Sequence, residues 1–316
     1  MSVVLSQKVE VLATKPIPQV GTVILARPRG DPVRRFEFVE TADVGRPRSE
    51  KWVVMVSTQY GCVCGCRICD AGNFGYHGNL DAEMIAEQIE IALRLHPEDD
   101  PSRTRRFKVQ FSRMGEPSFN PAVTECLERL AQDARLPALL PSISTVAPRC
   151  AVTTEFFERL RDVKDRFFSE GRFQLQFSIL STDEEAREAL IPVRKWGFSE
   201  IADFGRTWMK AGDRKVTLSF ALASEIPFDP AEVQRFFSPE IFLVKITPVN
   251  PTRRAERNGL TSMWRTPPAP VACYKEDLER RGFRVILNAS WPQEIECRAS
   301  CGQLSEETLR GEIQFG

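Results

Sequence analysis

At 316 residues the chain is long enough for one large α/β domain or two small ones, with ordinary apolar content for a globular core. Its 43 basic and 43 acidic residues cancel, so it lacks the basic surplus of a dedicated nucleic-acid binder; local runs such as RTRR (103–106) and TRRAER (252–257) leave RNA open without supporting it. No basic-then-apolar leader opens the sequence, and no run nears the roughly 20 apolar residues that span a bilayer, which predicts a cytoplasmic protein with no membrane partner.

In chain order, VGTVILARP and VRRFEFVE, joined by the turn chemistry of RGDP, predict a β-hairpin over 20–40. WVVMVS (52–57) reads as a short buried strand, and DAEMIAEQIEIALRL (81–95) as an amphipathic helix capped by Asp81. FKVQFSR (107–113) is the next strand, after which Asn120 is the expected N-cap and Pro121 the first helical residue. PSISTVA (141–147), FQLQFSIL (173–180), KVTLSFAL (215–222), IFLVKITPV (241–249) and FRVIL (283–287) read as further strands, separated by helical patterns. Ser181 and Glu184 are expected to form a capping box. About six βα units follow the hairpin, which implies a parallel sheet covered by helices, with its chemistry at the C-terminal ends of the strands. The expected division is a hairpin extension over 1–50 and one catalytic domain over 51–316.

Nine cysteines, an odd number without an export signal, favour metal or thiol chemistry over disulfides. Four of them crowd into GCVCGCRIC (61–69), directly after the strand at 52–57. Cys62, Cys66 and Cys69 are spaced C-x3-C-x2-C, which suits a [4Fe–4S] cube with one iron left free of protein ligands. A zinc site with Cys64 as fourth ligand is the alternative, although zinc sites usually pair separated C-x2-C knuckles and no second knuckle follows.

This spacing after the first strand of a βα series is the signature of the radical S-adenosylmethionine (SAM) superfamily. STQYGCVCGCRICDAGNFGYHGNL resembles the cluster loop of the RNA adenine-C2/C8 methyltransferases, the RlmN/Cfr family. The resemblance recurs in order through RMGEPSFN (113–120), ISTVAP (143–148), LQFSILSTDEEAREALIPV (175–193), KITPVNP (245–251) and SCGQL (300–304), covering about residues 50 to 316. It implies a partial (β/α)6 radical SAM barrel behind a small N-terminal β-hairpin extension. It also implies a [4Fe–4S] cluster on Cys62, Cys66 and Cys69, SAM as cofactor, and a reductant such as flavodoxin or ferredoxin.

The resemblance assigns SAM contacts to Gly115, Glu116, Ser144, Ser178 and Asn250. A glycine there admits close backbone approach and a carboxylate can accept from the SAM ammonium or ribose. The family's Ser-Leu-His reads Ser178-Ile179-Leu180, so one histidine contact is absent. It further implies that Cys301 carries a methyl group from one SAM, that a radical from a second SAM activates it, and that the carbon adds to an electron-poor sp2 centre. An acidic base expected in the hairpin region matches Glu40 weakly.

Two departures bear on function. The family's resolving cysteine, which releases product by forming a disulfide, aligns with Met55, whose thioether cannot do so. Cys297 and Cys64 are the candidate substitutes. The helical N-terminal domain usual in the family is not seen ahead of the hairpin, and the basic strand near its C-terminus reads LNASWPQ (287–293). The expected function is therefore a radical SAM methyltransferase acting on RNA adenine or on a small-molecule scaffold. The alternatives are a radical SAM enzyme doing hydrogen abstraction or C–C bond formation without methyl release, and a non-catalytic iron–sulfur or zinc protein.

Overall fold

A computed structural model describes residues 7–262, 264 and 266–312. Three antiparallel strands, β1 (Val9–Ile17), β2 (Gly21–Pro28) and β3 (Phe36–Ala42), open the chain and lead into β4 (Trp52–Val56). After a short ribbon of β5 (Gln59–Gly61) and β6 (Tyr76–Asn79) comes α1 (Ala82–Arg94). The alternation continues with β7 (Phe107–Phe111), α2 (Ala122–Leu130), β8 (Leu139–Thr145), α3 (Ala151–Phe167) and β9 (Gln174–Ser178). Next are α4 (Glu184–Leu190), α5 (Phe198–Trp208), β10 (Val216–Leu222), α6 (Pro230–Phe236) and β11 (Phe242–Pro248). The last described elements are α7 (Arg253–Arg257), α8 (Ala269–Arg280), β12 (Val285–Leu287), α9 (Pro292–Glu296) and α10 (Gln303–Leu309).

One ten-stranded sheet runs β1-β2-β3-β4-β7-β8-β9-β10-β11-β12. β4 and β7 to β12 are parallel, as the βα rhythm requires, while β3 joins β4 antiparallel, so the hairpin region is hydrogen-bonded into the same sheet. β1 was not expected; its Pro16 and polar alternation suit an edge strand.

Along β7 and β9, and in the second halves of β10 and β11, period-2 alternation separates two faces. Phe107, Val109 and Phe111, Leu175 and Phe177, and Val244 and Ile246 are buried in the main core, which also takes in the inward faces of α1, α2, α3 and α5. The residues between them, among them Lys108, Gln110, Ser144, Gln176, Ser219 and Lys245, stay partly exposed on the opposite face. A half-polar face of this kind cannot be core, and it is the face on which the site is built.

Caps account for several helix starts. Asp81 accepts from Met84 N, as expected. Asn120, the predicted cap, lies one position before the observed one: Pro121 is the N-cap of α2, and the Asn120 side chain accepts from Ala122 N at 3.1 Å. The Ser181–Glu184 capping box does not form. Asp183 caps α4 through Ala186 N at 2.7 Å, and Ser181 accepts instead from Asp183 N, because an aspartate one residue before the helix outcompetes a serine three before it. Among the described residues no helix is long and apolar enough to cross a membrane.

Candidate active site

The cysteine loop leaves β5 through Gly61, whose φ is +79° and where a side chain would strike Gly75 O at 1.9 Å. Cys62 N donates to Gly75 O at 2.9 Å, closing the loop's entrance. Its exit is fastened by Asp70, whose carboxylate accepts from Arg253 N (3.1 Å) and Arg254 N (2.8 Å) at the start of α7. Arg254 reaches back to Gly65 O at 2.8 Å, and Thr252 donates to Ile68 O at 2.9 Å. The loop after β5 is thus bolted to the segment after β11. Burial pushes the Asp70 carboxyl up against the pull of those two backbone N–H groups.

All four loop cysteines are free thiols; Cys62, Cys66 and Cys69 are partly exposed and Cys64 is buried. Burial, and then the charges of Cys62 and Cys69, push the Cys66 thiol up. Cys64 is raised too, by its hydrogen bond with Cys62 and then by burial. Cys69 is pulled down, chiefly by its hydrogen bond with Cys301. A single tetrahedral zinc would need sulfurs about 3.8 Å apart. The loop thiols do not form such a group: among the described residues, the one set of three ligand-type residues within 4.8 Å of one another is His96, Glu98 and Asp99. Of the four, Cys64 alone is buried.

Cys301 meets the loop from the other side. Cys69 Sγ lies 4.0 Å from Cys301 O. Gly302, at φ +87°, packs so closely on the loop that a Cβ there would lie 2.3 Å from Ala71 N. Two buried charges hold this segment. Arg113, just beyond β7, donates to Ala299 O (2.8 Å) and Ser300 O (3.2 Å). Glu37 of β3 accepts from Gly302 N (2.6 Å), Ser305 N (3.0 Å) and Ser305 Oγ (3.1 Å), and it pairs with Arg113 at 2.6 Å.

The residues expected to contact SAM lie at or beyond the C-terminal ends of their strands. Gly115 has φ +106° and sits against Gln59 and Thr58. Glu116 is fully enclosed: Oε1 accepts from Ser118 N, Ser118 Oγ and Thr145 Oγ1 (3.1, 2.8 and 2.5 Å), and Oε2 from Val146 N (2.9 Å). That leaves acceptor capacity on Oε2. Burial raises its pKa despite these donors. Ser144 accepts from Gln176 Nε2 at 3.3 Å, and Ser178 pairs in register with Ser219. Asn250 exchanges hydrogen bonds with Ser290 at 3.0 and 3.2 Å.

Glu40 is not among them. It shares the helix-facing side of β3 with Phe36 and Phe38, where it meets Arg48 (3.1 Å), His96 (3.0 Å) and Trp52 Nε1 (3.3 Å). Glu37, on the other face, is the hairpin-region carboxylate beside Cys301. The sequence signal for it is parity: in FEFVET the two glutamates are three apart and so face opposite ways. Met55 and Cys297 both border one small apolar cluster with Val39, Ala299 and Leu304.

No protein-family model matches the chain. It is 28% identical over 280 residues to a probable dual-specificity RNA methyltransferase RlmN of Synechococcus sp. (strain CC9902), covering 87% of this chain and 74% of that protein. A dual-specificity RNA methyltransferase RlmN of Sulfurovum sp. (strain NBC37-1) is 24% identical over 288 residues, covering 89% and 74%. Among solved structures, a radical SAM methyltransferase from Sphaerobacter thermophilus superposes with a TM-score of 0.70 at 21% identity, over 94% of this chain and 81% of that one. The chain is a homologue of the RlmN methyltransferases and has the fold of a radical SAM methyltransferase. Radical SAM methyltransferases work with a [4Fe–4S] cluster and SAM.

Proposed function

We propose that this chain is a radical SAM methyltransferase in which Cys301 carries the methyl group to an unactivated sp2 carbon. The observation that carries the reading is the contact of Cys301 with Cys69 at the mouth of a three-cysteine loop. In this reading Cys62, Cys66 and Cys69 hold the cluster, and Gly115, Glu116, Ser144, Ser178 and Asn250 form the rim that holds SAM. Bound there, the two cofactors supply reducing power and an adenosyl group for radical chemistry.

The chain's own residues do the rest. Glu37 and Arg113 fix the backbone on both sides of Cys301, so its sulfur stays at the cluster mouth. Loading would need the Cys301 thiol to give up its proton, so that the thiolate could take the methyl group of a bound SAM, with S-adenosylhomocysteine as the leaving group. Its hydrogen bond to Cys69, and then burial, oppose that ionisation, while the Arg113 charge favours it. The fastening of Asp70 and Arg254 to the loop helps exclude water.

Met55 favours a second reading, hydrogen abstraction or C–C bond formation without simple methyl release, since no thiol stands at that position. In the methyl-carrier reading Cys297, which borders the same apolar cluster as Met55, is the thiol to release product. RNA adenine and a small-molecule scaffold are the substrates considered, with flavodoxin or ferredoxin as reductant in the cytoplasm.

The test is peptide mass spectrometry of anaerobically reconstituted protein given SAM with a deuterated methyl group. A labelled Cys301 peptide is expected. SAM cleavage with an unlabelled Cys301 would move the assignment to the second reading.

A further inference from the structure

Arg113, Lys195 and Arg254 each come from a segment packed on the cysteine loop or on Cys301, and the first two are spent on carboxylates. Arg113 pairs with Glu37 at 2.6 Å. Lys195 ends a segment that lies on the loop, where Arg67 N donates to Leu190 O at 2.9 Å and a Cβ on Gly65 would touch Pro192 at 3.6 Å. Its buried ammonium pairs with Glu188 at 2.8 Å and donates to Ile191 O at 2.7 Å.

Arg254 is treated differently. Its guanidinium lies along the loop: Nη2 donates to Gly65 O at 2.8 Å, Nη1 donates to Asn73 Oδ1 at 3.3 Å, and a Cβ on Gly72 would meet Nη1 at 2.8 Å. It therefore reaches from the residue before Cys66 to the residues after Cys69. Asp70, the loop's own carboxylate, takes the backbone N–H groups of Arg253 and Arg254 and not this guanidinium. The other arginines of α7 do find carboxylates, Arg253 at Glu312 (2.5 Å) and Arg257 at Glu306 (3.8 Å). Among the described residues Arg254 has no such ion pair, although both its backbone and its side chain are held in place. Its charge pulls the Cys66 thiol down, against the burial that pushes it up.

A fixed cation favours whichever state of its neighbour carries more negative charge, and a carboxylate beside it would cancel most of that effect. One-electron reduction adds one negative charge to an iron–sulfur cluster, and the net charge around a cluster is one of the levers on its potential. We propose that Arg254 sets the reduction potential of the cluster held by Cys62, Cys66 and Cys69, raising it so that the reductant's electron is taken up more readily. The electron comes from the external reductant alone. Arg254 exchanges neither electron nor proton, because a guanidinium stays protonated throughout. The inference rests on the cluster reading given above, and not on Cys301 as methyl carrier.

The experiment is a potentiometric titration, followed by electron paramagnetic resonance, of anaerobically reconstituted full-length protein without SAM, with dithionite as the electron source. Arg254→Gln keeps a hydrogen-bond donor for the loop and removes the charge, whereas Arg254→Lys keeps the charge. Arg254→Gln should make reduction about tenfold less favourable, a fall of about 59 mV for one electron. Arg254→Lys should stay within about twofold of the unmutated chain, and so should Arg253→Gln, whose charge is already paired. Iron per chain is measured on every variant. An unchanged potential in Arg254→Gln overturns the proposal. Equal falls in Arg254→Gln and Arg254→Lys also overturn it, since they assign the effect to the hydrogen bond and not to the charge. If Arg254→Gln holds no iron, Arg254→Lys decides alone: a cluster at the unmutated potential supports the charge, and a tenfold fall or a lost cluster overturns it. Failure of the wider reading looks different. An unmutated chain with no reducible iron signal sinks the cluster reading and this inference with it. A titratable cluster beside an unlabelled Cys301 sinks the carrier reading alone, and a labelled Cys301 with an unmoved potential in Arg254→Gln sinks only this one.

Discussion

Cys69 and Cys301 are 232 residues apart in sequence and in contact in the fold, Sγ to carbonyl oxygen at 4.0 Å. The contact joins the first cysteine loop to the last described helix, and it depends on a charge pair that touches neither sulfur directly in the hydrogen-bond network, Glu37 with Arg113.

Removing one member of that pair strands the other. Arg113→Met should cost about 3–5 kcal/mol, because Glu37 would keep its burial and lose its cation. Glu37→Gln/Arg113→Met together should recover part of the loss. Urea unfolding of the single and double variants checks this, and limited proteolysis of the 299–309 segment reports whether the Cys301 loop has come loose.

Gly302→Ala should act at the same junction by a different route. The residue sits at φ +87°, and an added Cβ meets the backbone of Asp70 and Ala71, which has no flexible end to yield. Backbone strain alone costs about 1–3 kcal/mol, before any displacement of α10. Faster alkylation of Cys301 by iodoacetamide would show the displacement.

Iron content separates the cysteines. Cys62→Ala, Cys66→Ala and Cys69→Ala should each lose most of the iron and the brown colour after anaerobic reconstitution. Cys64→Ala should keep them, since that thiol alone of the four is buried. Equal iron loss in all four would assign Cys64 a ligand role.

The pH dependence of stability should carry a signature of Lys108. Its folded pKa is about 7 against an ordinary 10.5, so between those values the unfolded chain binds the extra proton and stability rises with pH. Below pH 7 both states are protonated and the full burial cost remains. Lys108→Met should therefore unfold a few degrees above the unmutated chain at pH 7 in chloride buffer, with the difference fading toward pH 10. A constant difference across that range would mean the lysine is not depressed.

Much of this was legible in advance. Hydrophobic alternation located β2, β3, β4 and β7 to β12, though not the short β5–β6 ribbon, and the cysteine spacing marked the loop because thiols need chemistry. What escaped has a common cause: it lives in relations between distant segments. β1 is an edge strand with a weak pattern, and α5 lay hidden between two stronger signals. Glu37 was passed over for Glu40, since a short motif reports residue type and not which face a strand turns to Cys301. Asp70 and Arg254 look like ordinary charged loop residues until the chain brings them within reach of each other.

The bolting of Asp70 to α7 and of Glu37 to Ser305 also sets an order of events in the cell. Synthesis runs from the N-terminus, so the loop thiols are made and β4 can form well before α7 or α10 exists. Until those later pieces arrive, the thiols stand open to the iron–sulfur delivery machinery. The last described helix, α10, then packs against the loop's exit, so cluster insertion should be slower on the finished protein than on the nascent chain.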